Sequence, residues 1–291
     1  MTETRNILII GRTGNGKSTL ANVLTNSEKF NEGSGTISTT KELQKEDFKV
    51  EIYDGKKVQY RVIDTIGIGD TQLAQRIVLN RIAEACHEVV RGLNQIFFVL
   101  GKKFTEEELE AYNILREIIF DKDITNYTTI VRTNFPEFDV EEKCEEDREK
   151  LNQENPKLAE LIRTCNKLIY VDNPPTMIEI GKDISEKQKK RKLKEIEANR
   201  EKREESREVL IKHLMVECGN YRPPSLDNLN ERVNSYMTEK EQLKKELDNL
   251  KRATEEERRE HERKIAELEA KIEVKVKEAL TPRVNNGCVI S

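Results

Sequence analysis

A short run near the N-terminus has the residue types and the spacing of a loop that binds phosphate groups. Gly11, Gly16, Lys17 and Ser18 fit the pattern G-x-x-x-x-G-K-[ST] without a mismatch. In such a loop the backbone N–H groups face phosphate oxygens, the lysine reaches the β- and γ-phosphates, and the hydroxyl binds Mg²⁺. The predicted nucleotide contacts are Gly11, Arg12, Thr13, Gly14, Asn15, Gly16, Lys17, Ser18 and Thr19.

The elements on either side of this loop must hold it in place. Asn6–Ile10 is a short, mostly apolar run typical of a buried parallel strand, and Thr19–Leu24 opens a helix. A glycine-rich turn with a chance lysine is the alternative interpretation. The strand before the loop and the helix after it favour the phosphate-binding loop.

A second strand is predicted to carry another metal ligand to the same place. Val58–Asp64 reads as a strand and ends in the pattern D-x-x-G. Asp64 would hold Mg²⁺ through water, and the Gly67 amide would contact the γ-phosphate. An Asp that only caps the next helix is the alternative.

The polar loop from Asn26 to Thr40 separates these two motifs. In a nucleotide switch protein, such a loop brings a hydroxyl to the Mg²⁺ when a γ-phosphate is present. Spacing alone does not choose among the hydroxyls of Thr36, Ser38, Thr39 and Thr40.

In a GTPase, the penultimate strand is normally followed by the pattern N-K-x-D, whose Asp accepts two hydrogen bonds from the guanine base. This chain lacks that pattern after its penultimate predicted strand. The strand predicted at Thr128–Arg132 is followed by Thr133-Asn134-Phe135-Pro136-Glu137, where Glu137 can supply the acidic group and Asn134 or Phe135 can contact the base. After the last predicted strand, Leu168–Val171, Asn173 is either a base contact or an ordinary turn residue. The weak base motif leaves a preference for ATP open.

Strands that alternate with helices after such a loop predict an α/β fold. We expect a three-layer α/β/α sandwich with a mostly parallel sheet, the fold of P-loop GTPases. The other predicted elements are a strand at Phe48–Tyr53, a hairpin at Asp54-Gly55, a helix at Gln72–Arg91, a strand at Gln95–Leu100, a helix capped by Thr105, and a helix at Pro156–Cys165.

The C-terminal third is predicted to be largely helical. Charged residues make up 36% of the chain, more than a packed globule spreads over its surface, so part of the chain must be a solvated rod or tail. We predict a nucleotide-binding domain at residues 1–218. It includes a charged segment at 182–208, predicted as a long exposed helix, whose continuation packs back through Leu210 and Leu214. A linker at 219–225, a long helix at 226–281 and a disordered tail at 282–291 follow.

The long helix carries apolar residues at heptad spacing. Leu243, Leu247 and Leu250 follow a 4-3 pattern, as do Ile265, Leu268 and Ile272. A weak coiled coil that needs a partner and a single helix held by i,i+4 ion pairs both fit this pattern.

Composition and the chain end bear on location and partners. A net charge of −4 gives no argument for nucleic-acid binding, and five cysteines without a C-x-x-C pair read as reduced cytosolic thiols. No apolar run approaches the roughly 20 residues that span a bilayer. The final residues, Cys288-Val289-Ile290-Ser291, fit a farnesylation motif, with a chance match as the alternative. We expect a cytoplasmic protein that lies peripherally on the cytosolic face of a membrane.

Three of these segments together resemble one family. GRTGNGKST, DTIG, and VLGKKFTEEE at Val99–Glu108 are similar to motifs of the immune-associated nucleotide-binding GTPases, the GIMAP or AIG-type family, over about Ile7–Leu214. The resemblance implies GTP and GDP binding, Mg²⁺, and homodimerisation through the GTPase domains (G domains). It places Ser38 at the family's switch threonine, with Thr36 and Thr40 as alternatives, and Asn173 at its base-contacting asparagine.

The chain departs from the family pattern at three places. The base motif is Thr133–Glu137, Ile66 stands where many GTPases have Pro, and Lys103 stands where several members have Arg. In a dimer, Lys103 would contact the γ-phosphate bound to the other subunit, with a positive charge but without the planar fork of Arg. The alternative is that Lys103 is a solvated loop lysine. Gln72 is the candidate for orienting the attacking water.

Two hypotheses about function follow from these residues. The leading one is a GTP-binding switch or scaffold with slow hydrolysis that depends on dimerisation, with Lys17, Lys103 and Gln72 in the catalytic group. The other is a non-hydrolysing interaction module that assembles when nucleotide binds, or an NTPase with relaxed base specificity.

Overall fold

The computed structural model of the chain describes residues 4–32, 43–51, 55, 57–67, 75–87, 92–101, 105, 108–109, 112–113, 116, 122–181, 184–217 and 229–280. The strands are β1 (Thr4–Gly11), β2 (Gln44–Glu51), β3 (Lys57–Asp64), β4 (Gln95–Leu100), β5 (Thr128–Arg132) and β6 (Lys167–Tyr170). The helices are α1 (Lys17–Thr25), α2 (Gln75–His87), α3 (Glu141–Glu154), α4 (Pro156–Thr164), α5 (Glu186–Glu217) and α6 (Leu229–Leu280), with a 3₁₀ helix at Lys122–Tyr127.

The strands form one mostly parallel sheet, as predicted. Their order is β2-β3-β1-β4-β5-β6, and only β2 runs antiparallel to its neighbour, with Val50 opposite Val58. The carboxyl ends of the parallel strands therefore meet at one edge of the sheet, where open α/β sheets bind ligands. The loops that follow β1, β3, β4, β5 and β6 all begin at this edge.

Both faces of the sheet are covered, which confirms the three-layer sandwich. Every residue of β4 and β5 is buried. On one face, Ile7 joins a core with Leu20 of α1 and Leu210 of α5. On the other face, the ring of Phe98 lies 4.9 Å from that of Tyr112. Successive strand residues point to opposite faces, so two separate apolar layers hold the sheet between helices.

The structure differs from the predicted elements in two places. β2, Gln44–Glu51, begins before the predicted Phe48, because its first half alternates polar residues that carry no apolar signal. The predicted end at Tyr53 lies outside the described residues. Helix α3 was not predicted, since it is charged along its length and has no apolar stripe. Its glutamates, lysines and arginine are good helix formers, and that propensity is the signal available in the sequence.

The two long helices follow in the C-terminal third. Ser185 and Gln188 form a capping box at the start of α5, with Gln188 N donating to Ser185 Oγ at 3.3 Å and Ser185 N donating to Gln188 Oε1 at 3.0 Å. Near the other end of α5, Leu210 and Leu214 are buried, as their spacing predicts. The predicted hairpin residue Asp54, the linker at 219–225 and the tail at 282–291 lie outside the described residues.

The chain divides into two compact units, Met1–Ser235 and Tyr236–Ser291. In the second unit, α6 exposes the heptad-spaced Leu243, Leu247 and Leu250. Among the helices described, none has a stretch long and apolar enough to cross a membrane.

Candidate functional site

The loop between β1 and α1 has the backbone of an anion site. Gly11, Gly14 and Gly16 have φ of +148°, +87° and +83°. A Cβ on Gly11 would lie 2.5 Å from the carbonyl oxygen of Val99, so only glycine lets β1 end this close to β4. Gly16 precedes α1 in the left-handed conformation, and no side chain caps the helix there. The N-terminus of α1 is therefore open towards the loop, where an anion is favoured.

Lys17 lies within this loop. Its side chain is buried, and Nζ donates a hydrogen bond to the carbonyl oxygen of Arg12 at 3.1 Å. A buried lysine must find acceptors for its ammonium protons, and here the loop supplies one of them. Thr19, also predicted to contact nucleotide, lies in the first turn of α1, and its side chain is among the groups that lower the pKa of Glu32.

The structure brings the two predicted metal ligands together. Ser18 Oγ donates to Asp64 Oδ2 at 2.6 Å, and Asp64 is completely buried. Burial raises the pKa of Asp64 above 3.8, although the charge of Lys17 and hydrogen bonds from Ser18 and the Thr65 amide oppose the shift. The second carboxylate oxygen, Asp64 Oδ1, is buried without a hydrogen-bond partner among the residues that the structure describes. Hard oxygen ligands of this kind fit Mg²⁺.

The turn after β3 lies directly against the phosphate-binding loop. Thr65 Oγ1 donates to the carbonyl oxygen of Ile9 at 2.8 Å, which fixes the start of this turn to β1. A Cβ on Gly67 would lie 2.6 Å from the backbone nitrogen of Thr13. Only glycine fits at this contact, so the D-x-x-G turn and the loop form one surface.

Asn15 joins the loop to the segment Val99–Glu108. Its side-chain amide donates to the carbonyl oxygen of Val99 at 3.1 Å and to Glu108 Oε1. The other carboxylate oxygen, Glu108 Oε2, accepts from the Thr105 amide at 2.8 Å, completing the helix cap predicted at Thr105. The sequence analysis placed Glu108 only in the first turn of the helix and missed its contact with Asn15. The position of Glu108, three residues after a capping threonine, was a signal for its hydrogen bond with the Thr105 amide.

The four residues predicted at the base end are placed differently from one another. Thr133 is buried, and its hydroxyl donates to the carbonyl oxygen of Asn15 at 2.8 Å. Asn134 and Glu137 are exposed, and Asn134 has a φ of +57°. Thr133 therefore supports the phosphate-binding loop from behind, while Asn134 and Glu137 lie on the surface.

Asn173, the fourth of these residues, is buried: only 8% of the residue is exposed. Within the described part of the chain, neither polar atom of its amide, Oδ1 or Nδ2, has a hydrogen-bond partner. A buried polar group left without a partner costs about 1–3 kcal/mol. A ligand that pairs this amide would recover that free energy.

Helix α5 fixes the turn on both sides of Asn173. The buried Ser206 accepts from the Asp172 amide at 3.1 Å and donates to the Asp172 carbonyl oxygen at 2.7 Å. Arg203 Nε donates to the carbonyl oxygen of Pro174 at 2.7 Å. The charged segment up to residue 208 was predicted as a long exposed helix, and it departs from that prediction at Arg203 and at the buried Ser206. The contacts are polar and were missed because apolar periodicity does not report them.

The same arginine reaches a residue inside the predicted polar loop, Asn26–Thr40. The guanidinium of Arg203 pairs with both carboxylate oxygens of Glu32 at 3.0 and 2.8 Å. Burial alone would raise the pKa of Glu32, but hydrogen bonds from Arg203 and Asn22 lower it below 4.5. Arg203 thus connects the turn at Asn173 with the predicted switch loop.

Several predicted residues cannot be compared with the structure. The switch hydroxyls of Thr36, Ser38, Thr39 and Thr40, the catalytic candidates Gln72 and Lys103, and the lipidation candidate Cys288 lie outside the described residues.

The sheet order, the loop after β1 and the Ser18–Asp64 contact define a P-loop GTPase fold. The AIG1 family model matches residues 5–209. The chain therefore belongs to the AIG1 family.

Curated relatives are similar over part of their length. Immune-associated nucleotide-binding protein 7 of Arabidopsis thaliana is 29% identical over 176 residues, which cover 59% of this chain and 54% of that protein. Immune-associated nucleotide-binding protein 8 of the same plant is 26% identical over 247 residues, covering 72% and 67%. This chain spans about half the length of the first of these relatives.

Solved structures with a similar arrangement include two that contain a bound nucleotide and magnesium. Toc33 from Arabidopsis thaliana in complex with GDP and Mg²⁺ has 18% identity and a TM-score of 0.45, covering 62% of this chain and 75% of that one. Era in complex with MgGDPNP and a 16S ribosomal RNA segment has 12% identity and a TM-score of 0.47, covering 77% and 60%.

Proposed function

We propose that the chain is a GTP-binding protein that hydrolyses GTP slowly and acts as a nucleotide-controlled switch or scaffold. The observation that carries this proposal is the Ser18–Asp64 contact beside the buried Lys17, within a loop whose backbone suits phosphate. Membership of the AIG1 family supports it.

Ser18 and Asp64 are the residues that would hold Mg²⁺, together with one switch hydroxyl, for which Ser38 is the leading candidate. The unpaired Asp64 Oδ1 supports this assignment, since a buried carboxylate oxygen needs a cation or a donor. When bound, Mg²⁺ neutralises charge on the β- and γ-phosphate oxygens.

The other assigned residues would hold the phosphates and the attacking water in position. Lys17 would donate to the β- and γ-phosphates, and the Gly67 amide would contact the γ-phosphate beside Thr13. Gln72 would orient the attacking water, and Lys103 of a second copy would stabilise charge on the γ-phosphate. Phosphoryl transfer depends mainly on such positioning and electrostatics.

The buried amide of Asn173 is our candidate for recognising the guanine base. A planar amide both donates and accepts, and so it can pair with the edge of a base. Competition of GTP and ATP for bound fluorescent GDP tests base selectivity. We expect GTP to compete at least roughly tenfold better, a difference of about 1.4 kcal/mol. Equal competition would instead support an NTPase with relaxed specificity.

A non-hydrolysing interaction module is the second candidate function. The chain has Lys103 where several family members have Arg, and Gln72 is only a candidate for orienting the attacking water. Both points favour weak hydrolysis. Single-turnover phosphate release at increasing protein concentration separates the two. A rate that rises with concentration supports a dimerisation-dependent GTPase, and a negligible, flat rate supports the module.

We propose a homodimer formed through the G domains and, in α6, a helix that takes a coiled-coil partner. Leu243, Leu247 and Leu250 are 51–66% exposed at heptad spacing, which supports the coiled-coil contact.

We also propose farnesylation of Cys288, which would hold the protein at the cytosolic face of a membrane. Fractionation of cells that express Cys288→Ser tests this. The variant should move to the cytosol, and an unchanged distribution would contradict lipidation.

A further inference from the structure

The first turns of α5 concentrate positive charge in a chain that is acidic as a whole. Glu186–Lys194 contains six cations and one carboxylate, whereas the whole chain has a net charge of −4. The cations are Lys187, Lys189, Lys190, Arg191, Lys192 and Lys194. This concentration produces a local positive potential that the net charge conceals.

Four of these cations share one side of the helix. Lys187, Lys190, Arg191 and Lys194 follow the spacing i, i+3, i+4 and i+7, and all four are exposed. Residues at this spacing form a continuous stripe along a helix. We call this stripe the basic face.

The basic face points away from the sheet. Further along α5, Asn199, Arg203 and Ser206 form the side that hydrogen-bonds to the turn at 172–175. At about 100° per residue, that side lies roughly opposite the basic face. Lys192 lies with the inner side, and its Nζ donates to the carbonyl oxygen of Glu179. The basic face is therefore directed to solvent along the first turns of the helix.

Within the part of the chain that the structure describes, none of the four cations of the basic face forms an ion pair with a carboxylate. In α6, by contrast, Arg258 and Arg259 pair with Glu255, and Lys264 pairs with Glu260. Cations at a helix N-terminus oppose the helix dipole, and like charges at i,i+3 and i,i+4 repel one another. Both effects destabilise the first turns of α5, and an external anion would offset them.

We propose that the basic face docks on a membrane surface rich in anionic phospholipid. Clusters of four or more Lys and Arg on a helix face bind such surfaces. The apolar Leu193, 49% exposed in these turns, and Met177, 69% exposed in the segment before α5, offer side chains that a lipid interface accommodates. Nucleic acid fits less well, because α5 contains no Phe, Tyr or Trp on which a base could stack, and its histidine, His213, is buried.

This contact uses neither the nucleotide site nor Cys288, so it can be tested apart from both. The test uses the full chain made without prenylation, sedimented with vesicles of phosphatidylcholine alone or with about 30 mol% phosphatidylserine. The protein should bind only the vesicles that contain phosphatidylserine, and binding should weaken as salt is raised, since salt screens exposed charges. Absence of binding, or equal binding to both vesicles, would overturn the proposal.

A charge-matched pair of variants locates the contact. Replacing Lys187, Lys190, Arg191 and Lys194 with Gln should lower the vesicle partition coefficient by roughly 100-fold or more, because each basic residue near the surface contributes about fivefold. Gln preserves helix propensity, and circular dichroism verifies that the helix remains. The matched control replaces Arg258, Arg259, Arg263 and Lys264 with Gln in α6 and should change partitioning less than about threefold.

Other outcomes are equally decisive. Equal losses in the two variants would show that net charge acts rather than the basic face. If the protein binds single-stranded RNA more tightly than vesicles, and the α5 variant loses this binding, the ligand of the basic face is nucleic acid and the membrane proposal is overturned. Nucleotide affinity should be unchanged in the α5 variant, so failure of the membrane contact and failure of the GTP proposal remain distinguishable.

Discussion

The phosphate end and the base end of the candidate site are built in different ways. At the phosphate end, Lys17 and Ser18 belong to one continuous loop, and Ser18 meets Asp64 at the adjacent strand end. At the base end, Asn173 belongs to a short turn held from outside by Ser206 and Arg203 of α5. One end is organised locally, and the other depends on a helix much later in the chain.

This difference separates affinity from selectivity. Phosphate groups are the same in every nucleotide, so a local loop with fixed backbone geometry is enough to bind them. The base distinguishes one nucleotide from another, and here its proposed contact is an amide that α5 positions. Substitutions at the phosphate end should therefore lower the affinity for all nucleotides alike. Substitutions at the base end should lower the affinity for guanine nucleotides most.

Lys17→Ala should have the largest effect. Removing a buried charge proposed to bind phosphate should cost about 2–5 kcal/mol, or at least roughly 30-fold in affinity by calorimetry. GTP, GDP and ATP should lose similar factors. Lys212→Ala, at an exposed position of α5, is the control and should bind normally. Unchanged affinity in Lys17→Ala would refute the phosphate site.

Asn173→Ala should separate the two ends. We expect GTP affinity to fall about tenfold while ATP affinity stays the same, because only the guanine contact is lost. Competition for fluorescent GDP measures both. Asn134→Gly removes the exposed amide without straining the left-handed backbone there, and it should have little effect. Equal losses for GTP and ATP would contradict a base contact at Asn173.

Ser206→Ala tests the support that α5 gives the base end. It removes the hydrogen bonds to Asp172, which should cost about 1–2 kcal/mol of unfolding free energy and lower GTP affinity a few-fold. Urea denaturation measures the first effect and GDP competition the second. The exposed Ser185→Ala, at the start of the same helix, is the matched control for nucleotide affinity. A parallel loss of ATP affinity would show that α5 supports the whole site.

Asp64→Asn should have the smallest effect on stability, and in the opposite direction to Ser206→Ala. Because burial holds the pKa of Asp64 above 3.8, the native state keeps a proton that the unfolded chain releases, and stability falls as pH rises through this interval. The neutral amide avoids this loss, so the nucleotide-free variant should melt about 3 °C higher at neutral pH by calorimetry. It should also lose the Mg²⁺ dependence of GTP affinity. A lower melting temperature would mean that Asp64 stabilises the apo fold.

The apolar strands were predictable because their signal is local. β4 and β5 have the predicted bounds, Gln95–Leu100 and Thr128–Arg132, since a strand buried on both faces is an uninterrupted apolar run. Glycine, lysine and serine spacing likewise predicted which loop would bring Lys17 and Ser18 together near Asp64.

The polar contacts were not predictable in the same way. Glu108 was expected only to follow a helix cap, and the structure adds its contact with Asn15. Arg203 and Ser206 were expected on an exposed helix, and they hold the turn around Asn173 instead. A charged or hydroxyl side chain looks the same in a sequence whether it faces solvent or a distant carbonyl group.

Residue order alone was enough to define the α/β class, the phosphate-binding loop and the helical C-terminal third, because each depends on neighbours within a few positions. Packing was needed to reveal that Asn173 is buried with its amide unpaired, and that α5 turns one side to the site and a basic face to solvent. Hydrogen bonds between residues far apart in the chain depend on how whole elements pack, and no local pattern encodes that arrangement.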